Sequence, residues 1–376
     1  MKILHIATDY RHTAVYSSLF REMKLCNQLV VLVPTSNEII DSDELNDESC
    51  CVKQIPHEKP RMFGVQINAY KVSRYILKNR YCENVDIIHA HYVLNDGSVA
   101  LQLFSRLNIP YVVSVRATCL SNFGRLSAPH NYLTSLKVLL HANTIVFQSS
   151  SALYLLLKMI PVFFRKNILG KHKIIPNGID KFWLENIYVK NRIVSERNFI
   201  VLTVASLELN KNIVSVAKAV DRLNARGYNV THYIVGAVLD NSILSELHST
   251  YSSKYLGIKN RQDLLDLYRE VDIFVMVSHK ETFGLVYVEA MSQGLPIVYS
   301  KGQGFDGQFD DGTVGYHASP NSVLDIENAI LKIVDDYNRI SRNAALLCKK
   351  YDWRLIASAY TDLYSRIVDD NVFSCE

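Results

Sequence analysis

The 376-residue sequence has no run approaching the roughly 20 apolar residues that a membrane-spanning helix needs. The longest candidate, 153–164, is interrupted by Lys158 and Pro161. The opening Met1-Lys2-Ile3-Leu4-His5-Ile6-Ala7 turns polar at Thr8-Asp9, without the longer apolar stretch and small-residue cleavage site of a signal peptide. It reads as a buried strand of a cytoplasmic chain. The seven cysteines (26, 50, 51, 82, 119, 348, 375) are odd in number, scattered, and form no C-x-x-C. Neither a disulfide framework nor a zinc site is expected; thiols in a reducing compartment are. With 48% hydrophobic residues, nine prolines and a net charge of only +4, the chain is not a disordered polyelectrolyte. There is no long basic stripe interleaved with aromatics, and the pI is about 8.5, so nucleic acid is not an expected partner.

The length is that of about two domains, each large enough for its own core. Charge is unevenly spread: residues 1–180 carry 20 Lys and Arg against 13 Asp and Glu, or +7, and the remainder 21 against 24, or −3. Short apolar runs at 2–7, 29–33, 86–91, 111–115 and 144–147 alternate with helical patterns at 17–26, 66–79 and 98–107. The rhythm restarts at 199–205, 232–235, 255–256, 272–277 and 296–299, after an aperiodic stretch at 180–197. Continuous apolar strands alternating with helices predict parallel sheets covered on both faces. The expected fold is therefore α/β with two doubly wound domains facing a cleft, 1–180 and 181–352. The last helical pattern carries Trp353, Ile356, Tyr360, Leu363 and Tyr364 at helical spacing, a packing stripe.

The densest chemical signal is Ser278-His279-Lys280-Glu281-Thr282-Phe283-Gly284-Leu285-Val286-Tyr287-Val288-Glu289-Ala290-Met291. A buried strand ends at Ser278, a polar turn carries Glu281, and a helix starts near Gly284 and stops at Gly294-Leu295-Pro296. Glycine at a helix start lets a ligand approach bare backbone, and the free N–H groups there favour a phosphate. Two carboxylates beside an anion site make sense as acceptors of sugar hydroxyls. In Ser206-Leu207-Glu208-Leu209-Asn210-Lys211 a strand, a turn and a lysine at the head of the next helix direct an ammonium toward the same region, where a phosphate suits it.

Together with Ile175-Pro176-Asn177-Gly178-Ile179-Asp180, these elements resemble family 4 of the retaining nucleotide-sugar glycosyltransferases, the glycosyl transferases group 1. The resemblance implies two Rossmann-like domains of GT-B type, donor on the C-terminal domain, acceptor against the N-terminal one, and a final helix (353–376) crossing back to the first domain. It also implies that Lys211 grips the donor diphosphate, Glu289 the ribose, and Glu281 with the backbone of Phe283, Gly284, Leu285 and Val286 the sugar and diphosphate. The backbone at Ile258 would meet the base. No metal or other cofactor is implied.

Departures from the family are specific. Five or six residues before the lysine, where the family usually has arginine, stands Ser206; the first loop has Thr8-Asp9-Tyr10-Arg11 in place of paired glycines. Where many members have His-Gly, this chain has Ser114-Val115-Arg116-Ala117-Thr118, so Arg116 is a candidate catalytic cation beside the donor phosphates or the acceptor. Gly302-x-Gly304-x-x-Gly307 fits the dinucleotide pattern, but no amphipathic helix follows it, and a glycine loop over the donor diphosphate fits better than a dehydrogenase. Asp41-x-Asp43 lies in an acidic run that reads as solvated surface, and His89-x-His91 has metal-like spacing with no further ligands in the pattern. His91 stands either as an acceptor contact or as a packed histidine.

Residues 152–173 combine Leu, Met and Phe with Lys158, Arg165, Lys166 and Lys171, which resembles an interfacial helix broken at Pro161, or else an ordinary surface helix. The expected activity is transfer of a hexose from a nucleoside-diphosphate sugar to a growing polyprenyl-diphosphate-linked glycan of O-antigen, lipopolysaccharide or capsule type, on the inner face of a bacterial cytoplasmic membrane. An epimerase or phosphorylase on the same fold, and a non-catalytic sugar-nucleotide-binding protein, are the alternatives.

Overall fold

The computed structural model describes residues 1–35, 46, 48–56, 64–116, 119–120, 129–190 and 196–373; Asp41 and Asp43 lie outside them. Two compact units are present, one of Met1–Gly178 with Trp353–Glu376, the other of Ile179–Asp352. Both are α/β, Rossmann-like, and built on a parallel sheet.

In the first unit the strands are β1 (Lys2–Ile6), β2 (Gln28–Thr35), β3 (Cys50–Pro56), β4 (Ile87–Ala90), β5 (Tyr111–Val115), β6 (Thr144–Phe147) and β7 (His172–Ile174). They pair in the order β3-β2-β1-β4-β5-β6-β7. Successive side chains of a strand point to opposite faces, and both faces here are apolar. Leu4 and Ile6 of β1 join Ile88 and Val113 in one core, while Ile3 joins Ile87 and Val112 in the other. That second core is closed by the helix Ala14–Met23 and by the last helix, Trp353–Phe373. The last helix contributes Trp353, Ile356, Tyr360, Leu363, Tyr364 and Ile367, the stripe expected from its spacing. Burial of each such side chain is worth about 1.5–3 kcal/mol.

The second unit holds β8 (Asn198–Val204), β9 (Asn229–Val235), β10 (Ser253–Tyr255), β11 (Ile273–Val275), β12 (Ile297–Ser300) and β13 (Gly315–Ala318). Their order is β10-β9-β8-β11-β12-β13. Both sheets reverse their winding once, between β1 and β4 and between β8 and β11. In doubly wound folds the loops leaving the strand ends at such a reversal diverge, and ligands bind there.

Three strands have no counterpart in the sequence reading: β3, β7 and β13. All three are sheet edges. An edge strand is covered less completely and tolerates polar residues, as in Lys53 and Gln54 of β3 or His172 and Lys173 of β7, and a proline, as in Pro56 of β3. The stretch 152–173 is interrupted at Pro161, as its sequence suggests, and part of it is packed inward. The stretch forms two helices, Ser150–Met159 and Val162–Gly170, and then enters β7. Ala152, Leu153, Leu156, Ile160 and Ile168 are packed into the first core. Lys171 is not an outward cation, because its ammonium donates to the carbonyls of Leu140 (2.6 Å) and Ala142 (2.8 Å). Burial lowers its pKa to about 8.

Candidate active site

At the β8/β11 switch the chain leaving β8 makes a short turn, Leu209–Lys211, before the helix Ile213–Ala225. The lysine therefore sits just ahead of the helix. Its Nζ lies 2.9 Å from Glu281 Oε2, with the two side chains only 21% and 13% exposed. Sequence separation between the partners is large, so the backbone must be held in register. Asn210 does this: its Nδ2 donates to Lys280 O and its Oδ1 accepts from Lys280 N, both at 3.0 Å. Asn212, in the left-handed region at φ 55°, donates from Nδ2 to Val277 O (3.0 Å) and Pro320 O (2.8 Å). Two asparagines thus bracket the lysine and fasten it to the loop that bears the glutamate.

The Glu281 turn is braced from its other side. Gln303 Oε1 accepts from Glu281 N (3.0 Å), and Gly304 N donates to Glu281 O (3.0 Å). A Cβ on Gly304 would lie 1.9 Å from Thr282 O, so the glycine is demanded by backbone contact. The glycine loop of the sequence reading is therefore stitched to the Glu281 turn. Phe283 is buried against Phe305 and Tyr351. Gly284 caps the helix Leu285–Ser292 at φ 79° with no side-chain cap bond. A Cβ there would meet the Tyr287 ring at 2.4 Å. The first N–H groups of this helix, at Leu285 and Val286, therefore have no capping side chain, an arrangement suited to an anion.

Glu289 lies further along this helix. Burial is the main reason its pKa rises to about 7, against the opposing pull of Arg261 and of a hydrogen bond from Trp183. Arg261 itself pairs with Asp180 at 3.0 Å. Ile258, 73% exposed, follows β10 in a loop whose Gly257 O accepts from Gly236 N (3.0 Å). Ser206 adds no cation; its hydroxyl donates to Glu208 Oε1 at 3.2 Å. The residues Ser206, Lys211, Ile258, Glu281, Phe283, Gly284, Leu285, Val286 and Glu289 all lie in the second unit, whereas His91 and Arg116 lie in the first.

In the first unit, Arg116 directly follows β5 and lies with its guanidinium 4.7 Å from the Tyr16 ring centroid and 5.9 Å from that of Tyr92. His91 is fully buried, and its ring meets the Tyr16 ring edge-on at 5.0 Å. Its Nε2 is 3.1 Å from His5 Nδ1. Strand register sets His5 beside His89. His5, His89 and His91 thus form a group whose ligand atoms all lie within 4.8 Å of one another. Spacing along the chain could not reveal the third imidazole. His89 is held by Ser114 Oγ (2.8 Å) and by the Tyr364 hydroxyl of the last helix (2.6 Å). Burial drives the His5 pKa to about 3 and those of His89 and His91 well down, so all three are neutral.

Asp96, which sequence reasoning passed over, completes this end of the sheet together with Thr8 of the first loop. Asp96, buried at the start of the helix Asn95–Leu107, accepts from the Thr8 N–H (3.3 Å) and from the Thr8 hydroxyl. Its pKa rises to about 7, chiefly through burial. Thr8 occupies the loop where the resembled family has glycines, so this chain uses that loop to seat a carboxyl.

The two helices of 150–170 also carry exposed apolar side chains: Tyr154 (62%), Val162 (71%) and Phe163 (75%), together with Leu155 and Leu169. Lys158 Nζ lies 4.2 Å from the Tyr154 ring centroid. No helix among the described residues is long and apolar enough to cross a membrane.

Residues 186–346 match the family described as Glycosyl transferases group 1. Across its length the chain is similar to an uncharacterised glycosyltransferase of Methanocaldococcus jannaschii, 23% identical over 88% of this chain and 89% of the relative. It is similar as well to the alpha-monoglucosyldiacylglycerol synthase of Acholeplasma laidlawii, 25% identical over 80% of each. Among solved structures, Anabaena HepE in complex with UDP and glucose shares the fold, with a TM-score of 0.64 at 18% identity over 97% of this chain and 100% of that one. The family match thus lies within the second unit, and the chain shares the two-domain α/β fold of its structural neighbours.

Proposed function

We propose that this chain is a retaining, metal-independent glycosyltransferase that moves a hexose from a nucleoside-diphosphate sugar to a lipid-linked glycan of surface-polysaccharide type. The observation that carries this reading is the Lys211–Glu281 pair at the β8/β11 switch, next to the glycine-capped helix start at Gly284. Lys211 and the N–H groups of Leu285 and Val286 would receive the diphosphate, Glu281 a hydroxyl of the sugar, Glu289 the ribose and the loop at Ile258 the base. As the anomeric bond breaks, negative charge grows on the leaving diphosphate, and a fixed cation with fixed N–H dipoles lowers that barrier without reorganising. Arg116 takes the acceptor side, with His91 behind Tyr16.

The relatives support donor and acceptor class alike: one structural neighbour is in complex with UDP and glucose, and one relative is a synthase of a glucosylated diacylglycerol. The surface of Tyr154, Val162 and Phe163 with Lys158 and Lys166 supports work at the cytoplasmic membrane face, where anionic lipid attracts such cations by about 1 kcal/mol each. A catalytically silent sugar-nucleotide binder is the second reading, favoured by Ser206, whose hydroxyl is bonded to Glu208 where a second diphosphate cation is expected.

Incubation with a panel of nucleoside-diphosphate sugars and a polyprenyl-diphosphate-linked acceptor separates the two. Release of nucleoside diphosphate that depends on the acceptor, with the donor's anomeric configuration kept in the product, is expected. Donor binding with no acceptor-dependent release across the panel would establish the binder instead.

A further inference from the structure

We propose that the carboxyl end of the first sheet is an anion site in which Arg116 and the hydroxyl of Tyr16 bind a phosphoryl group of the acceptor. This rests on the reading of the chain as a glycosyltransferase and goes beyond it in naming the group recognised and a second residue that recognises it.

Arg116 is a half-buried cation that makes no ion pair with any described residue, and its charge reaches the Asp96 carboxyl only from beyond contact. Among the described residues no carboxylate lies within ion-pairing distance, and its Nε is buried with no hydrogen-bond partner. Its neighbours are the faces of Tyr16 and Tyr92, which attract a cation but leave its N–H donors unspent. A partly desolvated guanidinium is costly unless an anion answers it.

The second observation is independent. Tyr16 is fully buried, and its hydroxyl too has no partner among the described residues. Buried tyrosine hydroxyls are nearly always bonded, and this one belongs to the ring that stacks on the guanidinium. The nearby carboxyl that could have served the arginine, Asp96, is committed to Thr8.

The place is where a ligand belongs. Thr8 follows β1, His91 follows β4 and Arg116 follows β5, so the group frames the point at which the sheet reverses its winding. The chemistry selects the ligand. A guanidinium edge offers two parallel donors and the tyrosine hydroxyl a third; a phosphoryl group has three acceptor oxygens, a carboxylate two. Sugar phosphates and polyprenyl diphosphates share that group.

The test measures binding by calorimetry in the full chain carrying Lys211→Ala, so that donor-side capture of phosphate is suppressed. The probes are glucose 6-phosphate, glucuronate, and phosphatidylcholine vesicles with and without polyprenyl diphosphate. Binding of glucose 6-phosphate or of the diphosphate-bearing vesicles is expected, weakened about 10-fold or more by Arg116→Gln and about 3-fold or more by Tyr16→Phe. Response to the soluble probe identifies a free sugar phosphate as the source; response to the doped vesicles alone identifies a lipid headgroup. Phosphoryl binding that is absent, or unchanged by both substitutions, overturns the site, and so does equal or tighter binding of glucuronate. Should Arg116→Gln fail to fold, Arg116→Lys and Tyr16→Phe carry the same comparison. Because no donor is present, the outcome is separate from turnover: a chain that transfers sugar yet binds no phosphoryl probe refutes only this site, and one that binds the probe without transferring refutes only the proposed function.

Discussion

The two sheets reverse at corresponding places, yet they furnish those places in opposite ways. At the β8/β11 reversal the cation Lys211 is answered at 2.9 Å by Glu281, and both are braced by backbone bonds through Asn210 and Gln303. At the β1/β4 reversal Arg116 is met by aromatic faces, and the buried carboxyl of Asp96 is bonded to Thr8. A cation with an internal partner is held in position before a ligand arrives, and the ligand must share or displace that partner. A cation without one keeps its full attraction for an incoming anion, at a cost in stability while it waits. The first arrangement suits a donor whose diphosphate must be gripped as charge develops; the second suits capture of a charged group that does not react.

The largest expected effect comes from wedging the donor-side turn apart. Gly284→Val places a side chain into the Tyr287 ring at a left-handed backbone position and shifts the Glu281 turn, which should lower kcat by about 100-fold or more. Steady-state turnover together with a thermal melt checks this, because a misplaced turn loses activity while the remainder of the fold still melts cooperatively.

Next is removal of the paired cation. Lys211→Ala should lower kcat/KM by about 10- to 100-fold, the worth of one charge-assisted contact to the leaving group. An unchanged value would remove the lysine from the mechanism.

Removing its partner instead should divide the kinetic constants. In Glu281→Gln the lysine no longer shares its charge with a carboxylate, so free nucleoside diphosphate should bind about 3- to 10-fold tighter, while kcat falls because a sugar contact is weakened. Weaker nucleotide binding would mean that the ion pair prepares the site and does not compete for it.

The smallest effect concerns the first unit. Asp96 has a folded-state pKa near 7, raised from the ordinary carboxylate range near 4, so the folded chain keeps a proton that the unfolded chain releases. Its contribution to stability is therefore full below about pH 4 and declines as pH rises toward 7. Asp96→Asn should flatten part of that slope, leaving the melting temperature at pH 4 nearly unchanged and raising it relative to the parent at pH 8. Glu289, raised to about 7 by its own burial, keeps a remaining slope in the variant.

What the sequence revealed follows the same physical line. Central strands are buried on both faces and must be continuously apolar, so β1, β2, β4, β5, β6, β8, β9, β11 and β12 stand out. The edges β3, β7 and β13 are under weaker demand and carry Lys53, His172, Lys173 and His317, which hid them. Lys211 and Glu281 stood out in the sequence because each follows an apolar strand in a polar turn, a pattern that points a side chain off the end of a sheet. That Lys211 and Glu281 meet depends on β8 lying next to β11, which local pattern does not encode. Asp96 and Tyr16 lie just outside the helical patterns at 98–107 and 17–26, and no local motif singles them out. Only strand order brings Thr8 to the first and Arg116 to the second.

The division of roles between the two reversals can be tested most directly with one ligand and two variants. Calorimetric titration of UDP into the parent, Lys211→Ala and Arg116→Gln should show affinity reduced about 10-fold or more by loss of the lysine and unchanged by loss of the arginine. An equal reduction in Arg116→Gln would place that arginine on the donor diphosphate and contradict the assignment of the first unit to the acceptor.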